Sequence, residues 1–180
     1  MKKLKVSLIA FVLVFLCTST AMAQKFSSLD KSPMDAATYP SSYRVSDKIV
    51  KVIYSRPQLK GRSLAKLVPA EKVWRTGANE AVEIIFYKDV VFGGTPIKAG
   101  TYSLFTIPGE NEWTVIINKD TNVWGAYMYN EKEDVARVTA KATKSNKKIE
   151  AFSIAFDGKE ELFTMYLGWG DVVVSVPVKG

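Results

Sequence analysis

The densest group of side chains that could carry chemistry lies at residues 72–81, which read KVWRTGANEA. An indole, a guanidinium, an amide and a carboxylate stand together there, on Trp74, Arg75, Asn79 and Glu80. The segment runs directly into a stretch whose apolar residues alternate as in a strand. Polar groups this dense beside a strand either bind a ligand or hold the chain in a structural corner, and the sequence leaves both interpretations open.

Two further arginines could join this group. Arg56 ends a predicted strand and Arg62 follows a glycine. If the connection between them and Arg75 folds back, three guanidinia would converge on a carboxylate or phosphate, which a guanidinium binds through two parallel hydrogen bonds. The alternative is that each arginine pairs with Glu80, Glu83 or backbone carbonyls and only locks the corner. The hypothetical ligand-binding residues are Arg56, Arg62, Trp74, Arg75, Asn79 and Glu80.

Most catalytic and metal chemistries are excluded by composition. The sequence has no histidine, and its single cysteine, Cys17, lies in the N-terminal segment. Ser-His-Asp and Cys-His catalysis and His- or Cys-ligated metal sites are therefore excluded. A glycosidase needs two acids about 5 to 10 Å apart, and no spacing marks a pair among Glu80, Glu83 and Asp171. We expect no catalytic residue, no cofactor and no metal.

The N-terminal segment is typical of an export signal. Lys2, Lys3 and Lys5 precede an apolar run at residues 6–16, and Ala-Met-Ala ends at residue 23. The run is shorter than the roughly 20 residues that a membrane-spanning helix needs. We therefore predict a signal peptide at residues 1–23, export to the periplasm or the medium, and no integral membrane span after its removal.

The remaining chain carries an ordinary charge. Three of the 25 Lys and Arg residues and none of the 18 acids lie in the predicted signal, so the rest carries 22 − 18 = +4. That balance is typical of a protein that does not bind nucleic acid. Residues 24–46 are polar and are predicted to be an extended leader. Residues 47–180 are predicted to form a single β-sandwich domain.

Short apolar runs separated by turn residues predict an all-β fold. Val82, Ile84 and Phe86, for example, share one face of a predicted strand. Connections this short join antiparallel neighbours, because a parallel crossover needs about a dozen residues. We predict about nine mostly antiparallel strands in a two-sheet sandwich of jelly-roll type, with a closed barrel as the alternative. At most one short helical turn is expected, near residues 64–67.

Turns are predicted where glycine and polar residues cluster, and four aromatic side chains nearby are candidates for exposure or for the core. The predicted turns are at residues 93–94, 144–148, 157–158 and 168–171. Trp124 and Trp169 stand beside glycines, where an indole is exposed if the segment is a loop, and Tyr127 and Tyr129 share a face if theirs is extended. Such aromatics would suit glycan binding, whereas in small β proteins they more often fill the core.

Several motifs together resemble one known family. YSRP at residues 54–57 and LVP at 67–69 precede VWRTGANEA at 73–81, and AGTYSL follows at 99–104 and WTVI at 113–116. This order resembles the bacterial family catalogued as domain of unknown function 2911. The resemblance runs from about residue 49 to the end of the sequence. It implies an exported, β-rich protein and no particular reaction.

The sequence thus predicts a non-catalytic ligand-binding or envelope-associated β module. Its expected partner is a small anion, a glycan or an envelope protein. The competing interpretations are a carboxylate-dependent hydrolase, directed at glycans in one version, and a purely structural envelope protein whose polar corner serves folding alone.

Overall fold

The computed structural model describes residues 24–180, so the predicted signal peptide lies outside the described residues. Two short 3₁₀ helices, Leu64–Lys66 and Glu131–Glu133, accompany nine strands. No helix in the described part is long and apolar enough to cross a membrane. The strands are β1 (Met34–Tyr39), β2 (Val50–Ser55), β3 (Val82–Phe86), β4 (Val90–Phe92), β5 (Thr95–Ile97), β6 (Gly100–Pro108), β7 (Glu112–Asn118), β8 (Asp134–Lys159) and β9 (Leu162–Lys179).

All nine strands belong to one antiparallel sheet. Their order is β1-β2-β3-β6-β7-β8-β9-β4-β5, so β1 and β5 are the two edges. The predicted all-β class, the antiparallel pairing and the number of strands are confirmed. The two halves are not separate sheets, because β8 pairs with β7 through residues 134–141 and with β9 through residues 142–159.

The sheet curls over its own core because β8 bends. Its register against β9 shifts between Lys144 and Ile149 and again between Ile149 and Ser153, and such bulges bend and twist a strand. The chain just after β2 then bonds to the far half of β8, with Leu59 N–H donating to the Glu150 carbonyl at 2.9 Å. The end of β2 is thereby held against β8, which comes six strands later in the chain.

The core consists of the inward face of each strand and a central group of aromatic rings. Trp74 stacks on Trp169, with ring centroids 5.9 Å apart and planes 10° apart. Trp113 and Phe152 meet the Trp74 ring edge-on. Each such pair contributes about 0.5–1.5 kcal/mol beyond the burial of its area. Trp74, which the sequence placed among the hypothetical ligand-binding residues, is thus a core residue with 4 % of its surface exposed.

Two of the predicted turns are wrong, because residues 144–148 and 168–171 lie inside β8 and β9. Glycine here permits close packing across the strand pair. A Cβ on Gly168 would lie 2.7 Å from the Ile149 Cδ1 atom. The intervening Trp169 is 3 % exposed, so of the two alternatives that the sequence left open for it the structure shows core packing.

Other local predictions stand or need small shifts. Gly93 and Gly94 form the tight turn between β4 and β5, with φ of +55° and +92°, and the predicted helical turn is the 3₁₀ helix Leu64–Lys66. The β8–β9 hairpin turns at residues 160–161 rather than 157–158, because the ladder continues to Lys159 opposite Leu162. The sheet also begins earlier than the sequence indicated, since β1 lies within the predicted leader.

Candidate functional site

The motif at residues 72–81 makes an excursion from the sheet. Trp74 exchanges two backbone hydrogen bonds with Thr106 of β6, at 2.7 and 3.0 Å. The chain then loops out at residues 76–81 and returns as β3, where Val82 lies opposite Leu104. We call residues 76–81 the corner loop.

Unusual backbone angles shape the corner loop. Thr76 has φ of +60° and Asn79 has φ of +62°, and a β-branched residue in this region is a strong outlier that costs about 1–3 kcal/mol. The Thr76 hydroxyl offsets this cost with bonds to the Trp74 carbonyl at 3.2 Å and to the Thr106 hydroxyl at 3.1 Å. Gly77 allows a close approach, because a Cβ there would lie 2.9 Å from the Ser55 carbonyl oxygen.

Arg56 holds three strands of the sheet together. Its guanidinium donates to the Phe152 carbonyl at 3.0 Å and to the Ser153 hydroxyl at 2.7 Å, and it forms an ion pair with Asp35 at 2.8 Å. These contacts join β2 to β8 and to β1. These contacts fit the alternative interpretation, in which the arginine stabilises the structure and does not bind a ligand.

Arg62 is bound to its own turn. Its Nε donates to the Leu59 carbonyl and one terminal nitrogen donates to the Gln58 carbonyl, each at 2.8 Å. Arg62 and Arg56 share no acceptor with each other or with Arg75 in the described part of the chain. The structure therefore does not show the three guanidinia converging on one point, and their binding roles remain predictions.

Arg75 differs from the other arginines. Trp74 faces the core, so the next side chain projects from the outer face of the sheet, beside Phe105 in the strand register. Its Nε is buried and has no hydrogen-bond partner. Within residues 24–180 the Arg75 guanidinium forms no ion pair, and Glu80 and Glu83 are not its partners.

A second segment covers the outer face beside Arg75. Residues 119–133, here called the covering loop, bring the Tyr129 ring to 5.1 Å from that of Phe105. Phe105 is 1 % exposed although it lies outside the main core. The outer face of β6 is therefore part of a small, separate apolar cluster.

A polar cluster locks the covering loop to β8. The Tyr129 hydroxyl donates to the Asp134 carboxylate at 2.6 Å, and Arg137 donates to the same carboxylate at 2.6 Å. Asn118 donates to the other Asp134 oxygen at 2.8 Å. Burial, followed by the bond to Asp134, raises the pKa of Tyr129 far above its ordinary value. No spacing in the sequence signals this cluster, because its members come from β7, the covering loop and β8.

The covering loop also pairs with the corner loop. Glu80 and Trp124 form an antiparallel bridge, and the Gly125 N–H donates to the Asn79 carbonyl at 3.0 Å. Trp124 is 61 % exposed, which is one of the two alternatives that the sequence left open for it. Tyr127 and Tyr129 do not share a face, because residues 125–128 form a turn that leaves Tyr127 81 % exposed.

A family model described as "Protein of unknown function (DUF2911)" matches residues 32–178. The chain belongs to the DUF2911 family. The resemblance based on motifs is thereby confirmed, and the match extends it to include β1. No curated protein and no solved structure matches the chain.

The carboxylates of this DUF2911 protein gather elsewhere, at the turn between β6 and β7. A cavity of about 620 Å³ there is lined by Glu71, Glu110 and Glu112 together with Lys141. An adjoining cavity of about 280 Å³ is lined by Glu110 and Asp171. Residues 24–180 contain no group of three or more acids, histidines or cysteines that could hold a metal ion. Glu80 and Glu83, the other acids considered for hydrolysis, lie away from both cavities.

Proposed function

We propose that this DUF2911 protein is a non-catalytic binding module that holds an anionic group of its ligand at Arg75. One observation carries the proposal. The Arg75 guanidinium has no acceptor within the described residues, although its Nε is buried. The other arginines all donate to protein oxygens.

An unpaired buried donor has an energetic cost. Leaving such a group without an acceptor costs about 1–3 kcal/mol. The buried Nε is closed to a ligand as well as to water, so a carboxylate or phosphate oxygen would form its charge-assisted bond with the terminal nitrogens of the same guanidinium. The strained Thr76 beside Arg75 fits the same interpretation, because strained residues concentrate at binding sites.

The remaining predicted site residues divide into two groups. Asn79 and Glu80 lie in the corner loop against the covering loop, and we include them in the proposed site. Arg56 and Arg62 hold β2 and the turn after it, Trp74 packs in the core, and their binding roles remain predictions. The predicted export of the chain would place the site in the periplasm or the medium, where an envelope component or a free solute would be the ligand.

The test compares two substitutions in the same segment. Arg75→Gln removes the charge, and Lys72→Gln removes an exposed charge three residues away. Thermal unfolding is recorded with acetate, glucuronate, citrate and inorganic phosphate. A ligand present at 100 times its dissociation constant stabilises the native state by about 2.7 kcal/mol. We expect at least one of these anions to stabilise the wild type and Lys72→Gln by this amount, and to leave the stability of Arg75→Gln unchanged. An equal shift in all three proteins would refute a site at Arg75.

A carboxylate-dependent hydrolase is the second candidate, because Glu110 and Asp171 line one cavity. Glu110→Gln would then abolish the release of nitrophenol from nitrophenyl glycosides while Arg75→Gln retained it. Absence of any turnover in the wild type would remove this candidate. A purely structural role would leave every variant without a ligand-induced shift.

A further inference from the structure

We infer that the ligand is an oligosaccharide containing a carboxylate-bearing sugar, which stacks on Trp124 and Tyr127 while its carboxylate meets Arg75. This inference rests on the proposed function and goes beyond it by naming the class of ligand. The two aromatic residues belong to the covering loop and are among the most exposed large side chains of the domain.

The covering loop presents Trp124 on a fixed backbone. The bridge between Trp124 and Glu80 has a hydrogen bond on either side of it along the chain. One runs from Ala81 N–H to the Val123 carbonyl at 3.0 Å, and the other runs from Gly125 N–H to the Asn79 carbonyl at 3.0 Å. An exposed indole on a paired backbone loses little conformational freedom when a ligand stacks on it.

Tyr127 is held against Gly125. A Cβ on Gly125 would lie 2.7 Å from the Tyr127 Cε2 atom, so the ring lies on the glycine backbone. Gly125 also has φ of +68°, which glycine adopts without a steric cost. The ring is nevertheless 81 % exposed. Tyr127 therefore contacts the loop with one side of its ring and offers the rest of the ring to solvent.

Polar side chains flank the indole. Asn79 and Glu80 contact the covering loop through their backbones, and their amide and carboxylate have no hydrogen-bond partner within residues 24–180. A pyranose ring has an apolar C–H face, which stacks on an aromatic ring, and hydroxyls at its edge, which bond to amides and carboxylates. Aromatic surface with a few converging polar groups is the usual composition of a small-molecule site.

The same arrangement argues against a membrane surface. Glu80 is the bridge partner of Trp124, so insertion of the indole among lipids would carry a carboxylate out of water at a high cost. It also argues against a stable protein partner, because such an interface buries about 800 Å² on each side. Here the exposed apolar side chains of the covering loop are only Trp124, Tyr127 and Met128 in the part of the chain that the structure describes.

Arg75 adds the requirement for a carboxylate. It lies beside Phe105 in the strand register. The covering loop contacts Phe105 through Tyr129, and it contacts the corner loop through Trp124. The Arg75 carbonyl accepts from the Val82 N–H at 3.3 Å, where the corner loop ends, so Arg75 and Trp124 lie beside the same short loop. A ligand that engages both must extend along the corner loop, as a chain of two or three sugars does.

The test uses uronate trisaccharides of the galacturonate, glucuronate and mannuronate types, each with its methyl ester as a matched uncharged probe. Binding is measured by titration calorimetry with the wild type, Trp124→Ala, Arg75→Gln and, as the control, Tyr43→Ala, which removes an exposed aromatic outside the site. Circular dichroism checks that each variant is folded. We expect at least one acid to bind the wild type about tenfold more tightly than its ester, as a charge-assisted bond of about 1.5 kcal/mol or more implies.

The variants separate the two levels of the proposal. Trp124→Ala should weaken binding of the acid at least about tenfold, Arg75→Gln should abolish the difference between acid and ester, and Tyr43→Ala should change neither. If small carboxylates bind in an Arg75-dependent manner and Trp124→Ala has no effect, the saccharide inference is wrong and the proposed function stands. If no anion binds, both are wrong. Binding to lipid vesicles without binding to any saccharide would also overturn the inference.

Discussion

The hydroxyl oxygens of Thr76 and Thr106 lie 3.1 Å apart, at a point where neither residue has any exposed surface. Thr76 donates its proton to the Trp74 carbonyl, so the hydrogen between the two hydroxyls must come from Thr106. This pair fastens the corner loop to β6. It thereby fixes the segment from which Arg75 projects to the outer face.

A double-mutant cycle on this pair should show strong coupling. Thr76→Val leaves the Thr106 hydroxyl buried without an acceptor, and we expect a loss of about 1–3 kcal/mol of unfolding free energy. Thr106→Val should cost less, because Thr76 keeps its bond to Trp74. The double variant should be more stable than the sum of the single losses predicts. Urea denaturation measures all three, and strictly additive losses would contradict the paired arrangement.

Gly77→Ala should destabilise the protein by about 1–3 kcal/mol, because the new Cβ must displace backbone. It would lie 2.9 Å from the Ser55 carbonyl oxygen, whereas a Cβ on Gly61 meets no atom within 4 Å. Gly61→Ala is therefore the matched control, and its cost of about 1 kcal/mol comes from its positive φ alone. A Gly77→Ala protein as stable as the wild type would show that the corner loop does not press on β2.

Replacement by methionine should leave the unfolding free energy nearly unchanged at Arg75 and lower it at Arg56. Arg75→Met removes an unpaired buried donor and keeps an apolar stem, so its unfolding free energy should stay within about 0.5 kcal/mol of the wild type or rise. Arg56→Met deletes bonds to β8 and Asp35, which should cost about 1–3 kcal/mol. Thermal and urea unfolding decide the point. A large loss in Arg75→Met would indicate a structural role for that residue.

Trp74, which precedes the corner loop, should behave as a core residue, and Trp124 of the covering loop should behave as a surface residue. Trp74→Ala removes a ring stacked on Trp169 and should cost about 3–5 kcal/mol. Trp124→Ala, at a residue that is 61 % exposed, should stay within about 0.5 kcal/mol. Both values come from urea denaturation followed by circular dichroism. Equal losses would contradict the assignment of Trp124 to an open surface.

Stability should change little between about pH 5 and 8, because the sequence has no histidine. Below this range the ion pair of Asp89 with Lys98 contributes. The hydrogen bond from Lys98 holds the pKa of Asp89 below its ordinary value of 3.8. The stabilisation is therefore present above that value and is lost as pH falls through the lower folded-state pKa. Asp89→Asn should make the acid limb of a plot of unfolding free energy against pH slightly less steep.

The alkaline limb of the same profile depends on Tyr129. Its folded-state pKa lies above the unfolded value of 10.0, chiefly through burial and then through the bond to Asp134. The unfolded chain therefore loses this proton first, and stability should fall as pH rises above about 10. Tyr129→Phe should reduce the alkaline slope. Part of the slope should persist, because burial also raises the pKa of Tyr39 and Tyr54.

Local patterns sufficed for much of the fold. The alternation of Val82, Ile84 and Phe86 predicted a strand with one buried face, and those residues are the buried face of β3. The glycines at 93 and 94 predicted the β4–β5 turn. Each of these signals lies within a few neighbouring residues, where steric preferences and side-chain periodicity act directly.

Long-range packing decided where strands join. The predicted turn at residues 144–148 is a bulged part of β8, and that at residues 168–171 is part of β9. Glycine and polar residues mark a turn or a bulge equally well in a sequence. The choice was made by the partner strand, whose Ile149 side chain uses the space that Gly168 leaves.

The candidate site divides in the same way. By itself the sequence determined that the chain is all-β, lacks histidine and carries a polar corner before β3, because composition and short periods are local properties. Only the tertiary structure decided that Arg56 and Arg62 donate to protein oxygens, that the buried Nε of Arg75 does not, and that Trp124 is open while Trp169 is buried. Both indoles stand beside glycine, so their local signals are alike. Burial and pairing depend on what the rest of the chain brings to each residue, and those partners are distant in sequence.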